Sequence, residues 1–298
     1  MHGWIILDKP LELGSTQGVS AVKRALREGG YPKMKVGHGG TLDPLASGVL
    51  PVAIGEATKL AGRMLDASKI YDFTIRFGAQ TDTLDAEGRI IAESDVLPTR
   101  AAVEAILPAF TGAIEQMPPA YSALKVDGKR AYDLARAGEE VVLAARHVTI
   151  HSLALAGETP ADGPVAAVTL SAHVSKGTYI RSLARDIALA LGTVGHVIML
   201  RRTKAGPFTL DHAISLDNLA EAAKARRLED ITLPLTAGLD DIPALSVTPD
   251  QARLLRQGQV LIGIAAQQGL HLATQAETPV ALVELSGHEL RVVRGFNL

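Results

Sequence analysis

Tyr71-Asp72-Phe73-Thr74-Ile75-Arg76-Phe77 alternates apolar and polar side chains without a break. A period of two marks a strand with one buried face, the pattern of an antiparallel sheet packed on one side. Working outward, Trp4 to Leu7 reads as a short buried strand, and Val19, Val22 and Leu26 give Ser20 to Arg27 a helical stripe. Lys33 to Ser47 is too rich in Gly and Pro to be one regular element. Helices are predicted over Ala101–Leu107, Lys129–Ala137, Thr178–Leu191 and Leu216–Arg227, with Gly138 and Gly192 as stops for the second and third. His147–Leu155, Val165–Val174 and His196–Leu200 read as strands.

Strands and helices mix without strict βα alternation. The expected fold class is therefore α+β, with a mixed, largely antiparallel central sheet and flanking helices. Leu239-Asp240-Asp241-Ile242-Pro243 marks a boundary that divides residues 1–238 from 239–298. Beyond it come one short helix, Pro249 to Gln257, and strand-like runs at Val280–Leu285 and Leu290–Val293, a small β-rich unit.

The 298 residues are 47% hydrophobic and 21% charged, the balance of a folded globular chain. No apolar run reaches the roughly 18–20 residues that span a bilayer, and Asp8 interrupts the N-terminus too early for a signal peptide. The expected location is the cytoplasm, as a monomer. There is no cysteine, which excludes disulfides, thiol nucleophiles, Fe–S clusters and the zinc-dependent nucleobase deaminases. A net charge of −2 argues mildly against a nucleic-acid partner, but phosphate is met by local patches rather than by the average. Lys23, Arg24, Arg27, Lys33 and Lys35 face only Glu28 within their stretch. Further basic clusters are Lys125, Lys129, Arg130 and Arg136, then Lys176, Arg181 and Arg185, then Arg201, Arg202 and Lys204. Any one of them reads best as a solvated face; together they place the acidic residues elsewhere.

Gly37-His38-Gly39-Gly40 is neither a phosphate-binding Walker loop nor a dinucleotide fingerprint. It is a tightly turned segment whose backbone can approach another chain closely. Asp43 follows on it, held extended by Pro44; from local pattern alone, Asp43 is a turn-former. His147 and His151, four residues apart on a strand, would stand roughly 13 Å from each other, too far to share a metal ion. Asp82, Asp85 and Glu87 lack EF-hand spacing and read as a turn. No metal site is expected. Arg181 falls in the first turn of a predicted helix, where the dipole disfavours a cation, so it calls for a carboxylate from elsewhere in the chain.

Taken together, several blocks resemble the TruB-type tRNA pseudouridine-55 synthases over about the first 210 residues. They are Leu7-Asp8-Lys9-Pro10, Gly37-His38-x-Gly40-Thr41-Leu42-Asp43-Pro44-Leu45-Ala46-x-Gly48-x-Leu50-Pro51, Gly55-x-Ala57-Thr58-Lys59 and Lys69-x-Tyr71. They continue with Thr81-Asp82-Thr83-x-Asp85-x-x-Gly88, Tyr121-Ser122-Ala123-Leu124-Lys125, Ser175-Lys176-Gly177-Thr178-Tyr179-Ile180-Arg181 and His196-Val197-x-x-Leu200-Arg201-Arg202. One departure is Glu12, where the family usually carries glycine.

The resemblance implies an enzyme that isomerises uridine 55 in the T-loop of tRNA to pseudouridine, with no cofactor or metal. Asp43 would be the nucleophile, at ribose C1′ or at uracil C6; both remain open. Tyr71 would stack on the flipped base and serve the proton removal, Arg181 would hold Asp43 ionised in a water-excluding site, and Asp85 would orient Arg181. His38 and Leu200 would contact substrate, with Lys9, Lys176 and Arg202 as further substrate-binding residues. Residues 1–238 would form the catalytic domain, and 239–298 resemble the small PUA domain that often follows it. The alternatives are a non-catalytic tRNA-binding chaperone and a small-molecule hydrolase using the Asp43 loop; the complete Asp, Tyr and Arg set and the dispersed cations count against them.

Overall fold

The Tyr71–Phe77 alternation lies in the middle of the largest sheet, within the strand Lys69–Phe77. Phe73, Ile75 and Phe77 are buried on its inner face. The structure, a computed structural model, describes residues 1–122, 124–126, 128–139, 141 and 143–298. Ala123 of the Tyr121–Lys125 motif, and the side chains of Lys125 and Arg130, lie outside the described residues.

The sheet has ten strands. Its main path runs Leu233–Pro234, Gly3–Lys9, Ala46–Ile54, Gly195–Ala205, Lys69–Phe77, Ala167–Val174, Arg146–Ala156, Gly112–Gln116. Every pairing on this path is antiparallel except that of Ala46–Ile54 with Gly195–Ala205. Helices Ser15–Glu28 and Leu216–Lys224 pack against one half, helices Arg100–Ile106 and Ile180–Ala190 against the other. The fold is the expected α+β class, with a mixed and largely antiparallel sheet.

The first helix begins at Ser15, five residues before the expected start at Ser20, because the Gln17 side chain turns back to accept the Gly14 N–H at 2.6 Å. The helix expected over Lys129–Ala137 is confined to Ala131–Arg136. Among the described residues, three strands of five residues or more have no counterpart in the sequence analysis: Ala46–Ile54, Gly112–Gln116 and Gly269–Gln275. Ala46–Ile54 carries Gly48 and Pro51, residues that ordinarily break strands. The glycine has a use here. Gly48 has φ +103, and a Cβ on it would stand 2.2 Å from the Arg202 carbonyl oxygen. Only glycine lets the two parallel strands approach at that point.

A second sheet of five strands orders Ala244–Ser246, Gly269–Gln275, Thr278–Ser286, Glu289–Gly295 and Leu261–Ile262, with helix Pro249–Arg256 against it. It is not packed only on itself. Leu272, Leu282 and Phe296 join Trp4, Val49, Phe208 and Leu235 of the larger sheet's surroundings in one apolar cluster. Trp4 is fully buried there, 5.3 Å from the Phe208 ring, and donates its indole N–H to the Leu235 carbonyl. No helix among the described residues is long and apolar enough to cross a membrane.

Gly48→Ala should destabilise the fold by about 2 kcal/mol or more, from positive-φ strain plus the carbonyl clash. Urea unfolding of the two proteins checks this; midpoints that coincide would mean the strands have room to part.

Candidate active site

The Asp43 loop joins the short strand Val36–His38 to Ala46–Ile54, and buried side chains pin it from three sides. The Ser15 hydroxyl donates to the Leu42 carbonyl at 2.9 Å and accepts the Leu42 N–H at 2.7 Å. Arg202, 1% exposed, donates to the carbonyls of Gly40, Thr41 and Val49 at 3.2, 3.2 and 2.8 Å. Lys9, 0% exposed, donates to the carbonyls of Pro10, Leu13 and Pro44. Glu12 sits at φ +65, a conformation that favours glycine, and its N–H reaches the Pro44 carbonyl at 2.8 Å. The family's usual glycine therefore matches the turn, and this chain bears the strain of a side chain there.

The loop presents Asp43 to Arg181. Arg181 is the second residue of helix Ile180–Ala190 and is buried. One guanidinium nitrogen lies 3.0 Å from the Asp43 carboxylate and the other 3.3 Å from that of Asp85. The same two nitrogens donate to the Tyr121 and Thr83 carbonyls. Two carboxylates thus answer the cation that the helix start disfavours. Asp85 is itself buried, its carboxylate accepting the Thr83 hydroxyl and the Glu87 N–H. Within the acidic loop, Asp82 ties the turn by accepting the Arg89 N–H, and Asp85 turns inward.

Asp43, Tyr71, Arg181 and Leu200 line one cavity of about 320 Å³, a volume typical of small-ligand sites. Tyr71 and Leu200 are partly buried and pack against both apolar clusters of the large sheet. The Asp43 side chain is 46% exposed, more open than the water-excluding site expected from the sequence. Any exclusion of water has to come from what fills the cavity.

His38 stands beside the cavity. Its Nδ1 accepts the Gly40 N–H at 3.4 Å, which leaves the ring proton on Nε2. Burial, then the nearby Arg202 charge, lowers its pKa from 6.5, so the ring is neutral at pH 7. Lys9 and Arg202, expected among the substrate-binding residues, are both buried; Lys9 gives its three donors to backbone carbonyls, whereas Arg202 gives carbonyls three of its five N–H groups and also lines the cavity. Lys176 is exposed and pairs with Asp66 at 2.9 Å, outside the residues that line the cavity. His147 and His151 lie on the exposed face of their strand, and no group of three or more His, Asp or Glu able to hold a metal occurs among the described residues.

Two lining residues had no role in the sequence reading. Tyr179 brings a second aromatic ring to the cavity, and burial pushes its phenol pKa up. The sequence signal was its place two residues before Arg181. Lys69 donates to the carbonyls of Met64, Leu65 and Ala67, closing the end of helix Ala61–Asp66 at the cavity wall. Burial lowers the pKa of both Lys9 and Lys69 to about 8.

An ammonium serves three acceptors and a neutral amine only two. As pH rises through about 8, Lys9 and Lys69 each lose one carbonyl, and the Pro44 contact, at 3.3 Å, is the longest that Lys9 makes. Turnover should therefore fall above about pH 8. A pH–kcat profile that stays flat through that range would contradict the assignment.

Residues 26–180 match the family model described as TruB family pseudouridylate synthase (N terminal domain), and residues 181–240 match the tRNA pseudouridylate synthase B C-terminal domain. The chain is 66% identical over 298 residues to the tRNA pseudouridine synthase B of Novosphingobium aromaticivorans, covering 100% of this chain and 98% of that one. It is 62% identical over 297 residues to the protein of the same name from Zymomonas mobilis, covering 100% and 96%. Among solved structures, a chain of a Cbf5-Nop10-Gar1 complex superposes with a TM-score of 0.74 at 25% identity, covering 99% of this chain and 85% of that one. The chain belongs to the TruB family of pseudouridylate synthases.

Proposed function

We propose that the protein isomerises uridine 55 of the tRNA T-loop to pseudouridine, with Asp43 as the nucleophile. The observation that carries this reading is the convergence of Asp43, Arg181, Tyr71 and Leu200, drawn from distant parts of the chain, on one cavity. The names of the relatives agree with it.

The reaction conserves every atom of the uridine. The bond from ribose C1′ to uracil N1 breaks, a bond from C1′ to C5 forms, the C5 proton leaves and N1 gains one. Neither an oxidant nor a group donor enters this balance. Arg181 aims the Asp43 carboxylate, and Asp85 fixes Arg181 from behind. The uridine must first leave its stack, at a cost of a few kcal/mol. A ring to stack on is worth roughly 1–3 kcal/mol per base, so Tyr71 can offset that cost. The Tyr71 hydroxyl is the group proposed to take part in removing the C5 proton. Leu200 supplies an apolar wall, and the neutral His38 can donate from Nε2 to the opened loop.

Asp43→Asn should fold and bind tRNA while losing roughly 10³-fold or more in turnover, since it removes the nucleophile itself. Pseudouridine formed by this variant at the parental rate would sink the mechanism. Tyr71→Phe should keep tRNA affinity, because the ring remains, and lose roughly 10²-fold in kcat, the usual scale of a lost acid–base group. If kcat is unmoved, Tyr71 only stacks. Both assays need only a uridine-bearing tRNA transcript and a count of pseudouridine.

A further inference from the structure

Strand Gly112–Gln116 ends at the start of helix Ile180–Ala190, and the residues that follow it are tied to that helix. The Gln116 side-chain carbonyl accepts the Tyr179 N–H at 2.8 Å. The Met117 carbonyl accepts the Ser182 hydroxyl at 2.7 Å and Arg185 at 3.2 Å, and the Tyr121 carbonyl accepts Arg181 at 3.0 Å. Ser122 ends this run, with its N–H on the Ala120 carbonyl and its own carbonyl on the Tyr132 N–H. Its backbone is therefore fixed from both sides.

The side chain is not. Of the four buried side-chain polar atoms without a hydrogen-bond partner among the described residues, two fall in this run, Gln116 Nε2 and Ser122 Oγ, and only Ser122 lines the catalytic cavity. A buried hydroxyl left unpaired costs stability, and one that a fold keeps calls for an explanation. Its oxygen is closed to solvent, so a nucleotide entering the cavity does not meet it directly. It bears instead on the phenol of Tyr179, which lines the same cavity. Burial holds the Tyr179 pKa above the ordinary value, and the Ser122 hydroxyl is the largest influence in the opposite direction, as a donor facing the phenol oxygen would be. The two hydroxyls thus face one another without yet being in hydrogen-bond contact.

We propose that Ser122 is a positioning residue for the reaction: with the nucleotide in the cavity, its hydroxyl donates to the Tyr179 phenol oxygen, and the phenol in turn donates to an oxygen of the nucleotide. The inference rests on the uridine isomerisation proposed above and adds a chain of two hydroxyls to it. Because burial favours the neutral phenol, Tyr179 keeps its proton and acts as a donor. A hydrogen bond accepted at the phenol oxygen fixes the direction of its own O–H, and successive hydrogen bonds strengthen one another by roughly 10–30% each. Substrate entry completes the chain, and the hydroxyl that is a liability in the empty site finds its partner.

A double-mutant cycle on the full chain tests this. Ser122→Ala keeps the shape of the site and removes only the hydroxyl. It should lower kcat about fivefold, the scale of one hydrogen bond, and leave KM for tRNA unchanged, since Ser122 acts only once the base is in the cavity. In a Tyr179→Phe background the same substitution should change nothing further, because the phenol through which it acts is gone. The hydroxyl is unpaired in the empty protein, so Ser122→Ala should unfold in urea at the parental midpoint or above it. An equal loss of kcat in both backgrounds, or no loss in either, would overturn the chain of hydroxyls. A lowered urea midpoint would make Ser122 a brace of the fold and overturn it as well. A parent protein that forms no pseudouridine would strike the proposed activity and the inference with it; that failure shows in the parent alone and is not confused with failure of the cycle.

Discussion

The site depends on one buried guanidinium shared by two carboxylates. Arg181 occupies a position that is poor for a cation on two grounds, the start of a helix and the interior of the protein. Asp43 and Asp85 compensate for both, and the same two terminal nitrogens also donate to the Tyr121 and Thr83 carbonyls. Removing one partner of a buried pair typically costs about 3–5 kcal/mol, because the other charge is stranded. The charge that orders Asp43 is thus one the fold itself needs. It also joins separate stretches of the chain: the loop near residue 43, the turn near 85, the segment near 121 and the helix at 181 all meet at this side chain.

Around that centre, positive charge is used as internal bracing. Lys9, Lys69 and Arg202 each gather three backbone carbonyls, and two of them hold the segment that carries Asp43. The glycine-rich loop, which composition alone would make pliable, is fixed before substrate arrives. Preorganisation of this kind spares the reaction the cost of arranging its dipoles. The charge of these three side chains is thus directed largely at the protein's own backbone.

Much of this was legible in the sequence because it follows from local rules. The alternation at Tyr71–Phe77 gave a central strand, and the helix expected over Thr178–Leu191, stopped by Gly192, is found at Ile180–Ala190. Arg181 was legible as an anomaly, a cation where the dipole forbids one. What stayed hidden depended on distant partners. Ala46–Ile54 looked broken at Gly48 and Pro51, since nothing local reveals that a neighbouring strand presses within van der Waals reach of residue 48. Lys9 and Arg202 carry the same charge whether they face a phosphate or a carbonyl, so the sequence did not reveal the backbone carbonyls that both of them hold. Tyr179 went unassigned because an aromatic residue at a helix start has no local rule to violate. Glu12 was the reverse case: a departure from a resemblance that the backbone then made concrete as a positive φ.

Trp4 is the only tryptophan in the chain, and it sits at the seam between the two sheets, fully buried among side chains from both. Its emission is therefore a property of the seam rather than of either sheet. As long as the small sheet stays seated, the indole is dry and its fluorescence blue-shifted. Parting of the two admits water to the ring even if each sheet keeps its own ladder of hydrogen bonds. A single built-in chromophore thus separates loosening of the molecule's two halves from the melting of either one, a distinction that far-ultraviolet circular dichroism, which sums over all strands, cannot make.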